Sequence, residues 1–370
     1  MKTPNHIVLA MLLVCMTANL FNVVLVASEK RIFEVPREYR TIQEAIDAAS
    51  PGDTVHVSNG TYIEHLTITK NNLKLMGEDP NNTIIDGNQT GTVVKVLADN
   101  VAITGFTIRR SGDQGEGFYL DHSNNNIIIN STCNSCHVGI SLKNSNGNKI
   151  IGNTIINNSE GIILAVNSTH NVVSENVLTH NNQAINIRAY ANNNTVSENI
   201  ITSNWYSGVY LSLTNGNTIT RNNITQHLVG IYLYGFLSTR NNISGNTIAN
   251  NGEGAHVFQS SDNIFYHNNF ISNTKQVYFD VSLVNLWDNG AEGNYWSDYD
   301  GKDTEGNGIG DTPYVIDAKN QDNYPLMSLW KIDRSHVEGP TYIKEAIILA
   351  TSILVAAGIG IYALKIRRKA

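Results

Sequence analysis

Asparagine returns at a nearly fixed interval through the middle of this chain. It stands at 125, 148, 171, 194, 217, 241 and 263, so the steps are 23, 23, 23, 23, 24 and 22 residues. Five residues after each comes a second Asn, at 130, 153, 176, 199, 222, 246 and 268. Further on, a small residue introduces an apolar-x-apolar triplet, as in Gly161-Ile162-Ile163-Leu164 and Gly230-Ile231-Tyr232-Leu233; the series fades at Gln276-Val277-Tyr278-Phe279. A period of this size signals stacked units, none of which buries its apolar face alone. Within a unit, apolar and polar residues alternate, as in Thr195-Val196-Ser197, which is strand periodicity. Asn and Gly at the boundaries tolerate the positive φ of tight corners. Short strands stacked in parallel on their equivalents predict an all-β parallel β-helix of about ten coils. Each Asn column then becomes an inward ladder whose amides bond neighbours roughly 4.8 Å away. Asn130 is expected inside that ladder. The leucine spacing of leucine-rich repeats is absent.

The two ends carry different signals. Lys2 precedes an apolar run from Ile7 to Val26 that ends in small residues, which predicts a secretory signal peptide over 1–28. An uncleaved signal anchor is the alternative. Ala346 to Leu364 is an uncharged apolar stretch long enough to cross a bilayer. Lys365, Arg367, Arg368 and Lys369 follow it, which places the C-terminus in the cytoplasm and the repeats outside. Between these ends the expected order is a β-helix with its N-terminal cap over 29–284, a C-terminal cap with an Asp/Gly-rich loop over 285–327, and a stalk over 328–345. Thr41-Ile42-Gln43-Glu44 fits a capping box, and Ile42, Ala45, Ile46 and Ala49 share one helical face that would close the first coil. The net charge of −7 and the lack of a basic stripe exclude nucleic acid as a partner.

The stretch Thr41-Ile42-Gln43-Glu44-Ala45-Ile46-Asp47-Ala48-Ala49, then Pro51-Gly52-Asp53-Thr54-Val55 and Asn59-Gly60-Thr61-Tyr62, resembles the opening of NosD-like right-handed parallel β-helix proteins. Gly293-Asn294-Tyr295-Trp296-Ser297-Asp298-Tyr299, Gly308-Ile309-Gly310-Asp311 and Asn323-Tyr324-Pro325-Leu326 resemble their ending. The resemblance covers about residues 34 to 330. It implies the right-handed coil, and the group's label is "carbohydrate-binding and sugar hydrolysis". The NosD name also implies copper delivery to nitrous oxide reductase.

Several residue sets point to chemistry. The outward triplet position and its neighbours supply Tyr210, Tyr232, Tyr234, His256, Phe258 and Tyr278, a predicted aromatic strip suited to sugar rings. Its structural alternative is stacked aromatics that only stabilise the sheet. Asp303, Glu305, Asn307, Ile309 and Asp311 follow a calcium-loop template, although position 12 is Tyr314 and Asp298 or Asp300 would have to replace the missing acid. Cys133-x-x-Cys136-His137 matches the haem attachment motif, but it falls inside a coil, so a disulfide or buried thiols are expected there instead of haem. Copper lacks a Met/His-rich cluster. Asp113, Glu116, Asp121 and His122, with Arg109 and Arg110, form the densest acid/base cluster and the only catalytic candidate. Glu175, Glu198 and Arg221 occupy one column and read as a surface charge row. Nine Asn-x-Ser/Thr sequons occur; Asn130, as an inward residue, is expected to stay unmodified.

Together these features predict a membrane-anchored extracytoplasmic β-helix that binds carbohydrate or another cell-envelope polymer. Polysaccharide cleavage, a NosD-type copper accessory role and a structural adhesion role are the alternatives.

Overall fold

The computed structural model describes residues 30–331. The expected signal peptide, most of the expected stalk, the expected transmembrane helix and the tail lie outside those residues. Among the described residues no helix is long and apolar enough to cross a membrane.

The repeat is realised as a parallel β-solenoid with three short strands per turn. One representative turn runs Val172–Ser174, Val177–Thr179 and Gln183–Arg188. Equivalent strands of successive turns pair in parallel into three long sheets. The first sheet has eleven strands, from Ile32–Val35 to Ile264–Tyr266. The second has ten, from Leu66–Ile68 to Lys275–Val281, and the third eleven, from Gly60–Ile63 to Tyr295–Trp296. The sheets of eleven, ten and eleven strands compare with the expected stack of about ten coils, and the less regular segments before Asn125 pair in the same three sheets. Register sets like on like: Val173 faces Val196, and Leu178 faces Ile201.

Inward positions form columns without solvent exposure, such as Ile150, Val173, Val196, Ile219 and Ile243 in the first sheet, and Ile155, Leu178, Ile201, Ile224 and Ile248 in the third. Each such side chain stabilises the fold by about 1.5–3 kcal/mol. The small residue that opens the long strands has a steric cause. A Cβ on Gly208 would stand 2.7 Å from the Gly230 carbonyl oxygen one turn on.

The corners are held by three asparagine ladders. In each step the backbone N–H of one Asn donates to Oδ1 of the Asn one turn on, at 2.9 Å from Asn171 to Asn194 and from Asn176 to Asn199. The same residue's Nδ2 donates to that oxygen and to a carbonyl of the preceding turn, Ser145 for Asn171 and Ile150 for Asn176. The first ladder begins at Asn126 and Asn148 and ends at Asn320; the second begins at Ser131 and Asn153 and ends at Asp322. Asn125 and Asn130 are not members, which corrects the expectation for Asn130. Both are exposed and take φ of 56° and 48°, so they are the left-handed corner residues beside the ladder. The reason given for leaving the Asn130 sequon unmodified therefore falls away. The third ladder, Cys136-Asn158-Asn181-Asn204-His227-Asn251-Asn273, was not anticipated.

A short helix, α1 (Ile42–Ala48), carries the predicted capping box: Thr41 accepts from the Glu44 amide, and Glu44 accepts from the Thr41 amide. Ile42, Ala45 and Ile46 are buried, and the helix lies against the strands Ile32–Val35, Thr54–Val57 and Leu66–Ile68. At the far end Trp287 and Trp296 stack on Phe265 and Phe270 at 4.3 and 4.4 Å. Their indole N–H groups donate to Asn320 and Asp322, the last acceptors of the first two ladders. Trp330, predicted to lie in the stalk, stacks on His267 at 3.5 Å and exchanges two hydrogen bonds with Asn269.

Asn199→Ala removes the acceptor of the Asn176 amide and strips two carbonyls of a donor, and should cost roughly 3–5 kcal/mol in urea unfolding. A loss below about 1 kcal/mol, the worth of one ordinary hydrogen bond, would contradict the ladder's role. His227 is buried, donates from Nδ1 to Asn251 and accepts at Nε2 from Asn204. Burial pushes its imidazole down to about 4, against a smaller upward pull from the Asn251 hydrogen bond. The neutral form is thus favoured on folding. Its stabilisation is complete above about pH 6.5 and falls as pH drops toward 4, by about 3 kcal/mol over the whole window. His227→Asn should flatten that part of the stability–pH curve relative to wild type; an unchanged slope would refute the assignment.

Candidate functional site

The outer face of the second sheet gathers the predicted aromatic residues. Tyr210, Tyr232, His256 and Tyr278 stand in register on four successive turns. Tyr234 and Phe258 form the adjoining column and stack at 4.9 Å. Tyr232 lies 4.3 Å from the His256 ring and 5.3 Å from Tyr210, centroid to centroid, and His256 lies 4.9 Å from Tyr278. All six predicted residues are therefore brought together. They are not equally accessible. Tyr232 is 9% exposed and serves as the ring on which others rest, whereas Tyr234 is 40% exposed and faces solvent. Burial pushes the Tyr232 phenol up, so it stays protonated.

Residues not anticipated complete this face. His256 is fixed from both sides, with Nδ1 2.7 Å from Glu253 Oε2 and Nε2 2.9 Å from Asp280 Oδ2. The His256 contact, then that from Tyr278, holds the Asp280 carboxyl below its usual range. Lys275 Nζ sits 4.4 Å over the Tyr278 ring. Tyr206 packs on Tyr232 at 6.3 Å. Asp280 was legible, since it continues the strand alternation two residues after Tyr278. Tyr206 was not, because it depends on an extra residue in its turn.

The acid/base cluster does not converge. Glu116 and Asp121 are opposite ends of one six-residue strand, roughly 16 Å apart along it. Carboxylate pairs that cleave glycosides stand about 5–9.5 Å apart. Glu116 accepts from Thr92 Oγ1, Asp121 pairs with His122 at 2.7 Å, and Asp113 lines a groove elsewhere. Arg109 and Arg110 both clasp Asp86 at 2.7 Å. Asp86 has no exposure; its burial raises the carboxyl, and the Arg110 guanidinium, the Asn88 amide and the Arg109 guanidinium together more than offset this, leaving it low. The arginines thus hold a buried charge.

Cys133 points into the core, and Cys136 takes the first place in the third ladder. Both are free thiols, and burial pushes both up. Sulfurs in these positions offer no outward attachment for a haem. In the cap loop, Asp303 Oδ1 accepts from the amides of Gly306 and Asn307, and Oδ2 from Gly308. Asn307 accepts from the Ile309 amide, Glu305 from Asn307 Nδ2, and Asp311 from the Thr304 amide. Asp298, the substitute for the missing twelfth ligand, accepts instead from Tyr314 and Gln276. The loop closes on itself through these bonds.

The family profile described as "Periplasmic copper-binding protein (NosD)" matches residues 34–189 and 99–301. The chain is 40% identical over 86 residues to the probable ABC transporter binding protein NosD of Pseudomonas aeruginosa, covering 23% of this chain and 20% of that protein. It is 34% identical over 95 residues to pectinesterase A of Dickeya dadantii, covering 21% of this chain and 26% of that one. The matched stretches thus span only about a fifth to a quarter of these relatives. Among solved structures, Geobacillus virus E2 ORF18 superposes with a TM-score of 0.56 at 18% identity, over 68% of this chain and 56% of that chain. That likeness is one of fold. The copper in the family's description finds no matching donor set here. Among the described residues no three His, Cys, Asp or Glu side chains converge to hold a metal, and the two cysteine thiols are buried and favour the protonated form, which is not the ligand form. On the extent of the family match and the parallel solenoid, the chain belongs to the NosD family of right-handed parallel β-helix repeat proteins.

Proposed function

We propose that this protein is an exported β-helix displayed at the cell envelope, and that it binds a glycan on the aromatic outer face of its second sheet. The observation that carries this reading is the paired column Tyr210-Tyr232-His256-Tyr278 and Tyr234-Phe258, ordered over four turns and locked by Glu253 and Asp280. Sugar rings present an apolar face and a polar edge, and such a surface offers both partners. Two carboxylates against one lysine at this end favour neutral or amino sugars over uronates. Binding is favoured over cleavage because the predicted acid/base groups stand too far apart.

The remaining parts of the proposal concern architecture. Residues 1–28 direct export and 346–364 anchor the chain, with the solenoid outside. Helix α1 and the 285–327 region cap the stack, shielding strand edges from self-association. Copper has no step in this reading.

Tyr234→Ala, at a half-exposed ring, should weaken retention on the cognate polysaccharide about tenfold, a loss of roughly 1.4 kcal/mol, with unchanged melting temperature. Affinity electrophoresis measures this, and unchanged mobility would remove the face from the site. Calcium should leave the melting temperature unchanged, because the Asp303 oxygens are already engaged by three amides. A rise that Asp303→Asn abolishes would restore the loop as a calcium site.

A further inference from the structure

A second surface lies around the corner from the aromatic face, where the third sheet turns into the second. Two adjoining cavities of about 660 and 690 Å³ share Asn157, His180 and Asn182 and form one groove along the solenoid axis. Its lining comes from five successive turns, from Asp113 at one end to Trp205 at the other, chiefly Ser135, His137, Asn157, His180 and Asn182 between them. The rows repeat every turn, so the groove runs about 19 Å from the first to the last.

Three observations mark this groove. The first is Trp205, which is 79% exposed, more than any other large hydrophobic residue described. The second is how it comes to be there. Between ladder residue and long strand, neighbouring turns have one residue, Asn182 after Asn181 and Leu228 after His227; this turn has two, Trp205 and Tyr206, after Asn204. Such an insertion re-aims side chains. Here it sends Trp205 to the groove and Tyr206 to the aromatic face. The third is the left-handed corner beside it. The other ladder corners use glycine on several turns (Gly147 and Gly216, or Gly152 and Gly245), but this one never does: Arg110, Ser135, Asn157, His180, Ser203, Gln226, Asn250 and Ser272 all adopt positive φ. A side chain there costs about 1 kcal/mol or more relative to glycine, yet every turn keeps one.

We infer that this groove is a second binding site, for an uncharged polysaccharide chain, with Trp205 as its stacking platform. The inference rests on the glycan-binding reading above and adds a separate site to it. The lining carries hydroxyls, amides and imidazoles that donate and accept along a repeat, no Lys or Arg, and the carboxylate of Asp113 at one end. That set suits rows of sugar hydroxyls and offers phosphate, sulfate and uronate polymers no Lys or Arg counter-charge. The exposed indole supplies the apolar plane that a pyranose face covers.

The full-length protein is titrated with neutral hexasaccharides (glucan, mannan, galactan and N-acetylglucosamine polymer) and with an oligogalacturonate of equal length. The readouts are affinity and acrylamide quenching of tryptophan fluorescence. Trp287 and Trp296 are buried and Trp330 is half-buried against His267, so the most strongly quenched emission belongs mainly to Trp205, and its loss in Trp205→Phe separates it from that of Trp330. At least one neutral hexasaccharide should shield that emission, and the oligogalacturonate should not. Trp205→Ala should weaken binding about tenfold or more, while Trp205→Phe, which keeps a ring, should largely retain it. If Trp205→Ala loses affinity and Tyr234→Ala does not, the groove stands and the aromatic-face reading fails. If only Tyr234→Ala loses affinity, the groove is overturned and the earlier reading stands. If no neutral hexasaccharide shields Trp205, or the oligogalacturonate shields it equally, the inference is overturned.

Discussion

A chain that turns three corners per coil must bury backbone N–H and C=O groups at every corner, and the carboxamide of asparagine is what satisfies them. One such amide accepts from the turn below and donates to the turn above, to a carbonyl within its own turn and to one a turn back. An unsatisfied buried donor or acceptor costs about 1–3 kcal/mol. Repeated over three corners and eight or so turns, that penalty would exceed the stability of an ordinary domain. The ladders also set register, because a slipped turn would leave every amide one place out. Their closure at the C-terminal end uses the same chemistry with different residues. Asp322 replaces Asn, accepting from the Asn294 and Tyr324 amides and from the Trp296 indole, while burial raises its carboxyl to about 6.

The sequence made the period, the strands and the aromatic column legible because each depends on residue type recurring at a spacing. It misled where one residue type serves two physical roles. Asn suits both an inward ladder and a left-handed corner, so Asn125 and Asn130 passed for ladder members although Asn126 and Ser131 hold those places. The third ladder escaped notice because His227 and Cys136 interrupt its asparagines. Arg109 and Arg110 looked like part of a reactive cluster because their partner, Asp86, lies one turn back and belongs to no visible motif. The groove was illegible for a related reason. Its lining residues are ordinary polar side chains, and only the extra residue in the Trp205 turn hints that the corner is unusual.

This division between inside and outside bears on function. Inward positions are fixed by packing and ladder hydrogen bonds, so they say little about what the protein does. Outward positions are constrained only by strand propensity and solubility, so an ordered array there is informative. Two arrays stand out on neighbouring faces: the tyrosine columns of the second sheet and the amide-and-imidazole rows around Trp205. The adjacent residues Trp205 and Tyr206 join them at one corner. A rigid solenoid holds such groups at a fixed spacing and so lowers the entropy lost when a long, repetitive ligand binds.

Amide hydrogen exchange in the native protein tests the ladders most directly. The backbone N–H groups of Asn171, Asn176, Asn181 and Asn199 sit at chain corners, where amides ordinarily exchange fast, yet each donates to a buried side-chain oxygen one turn away. They should exchange as slowly as the strand amides of Val173 and Leu178. Fast exchange at these corners, with slow exchange confined to the strands, would contradict the account.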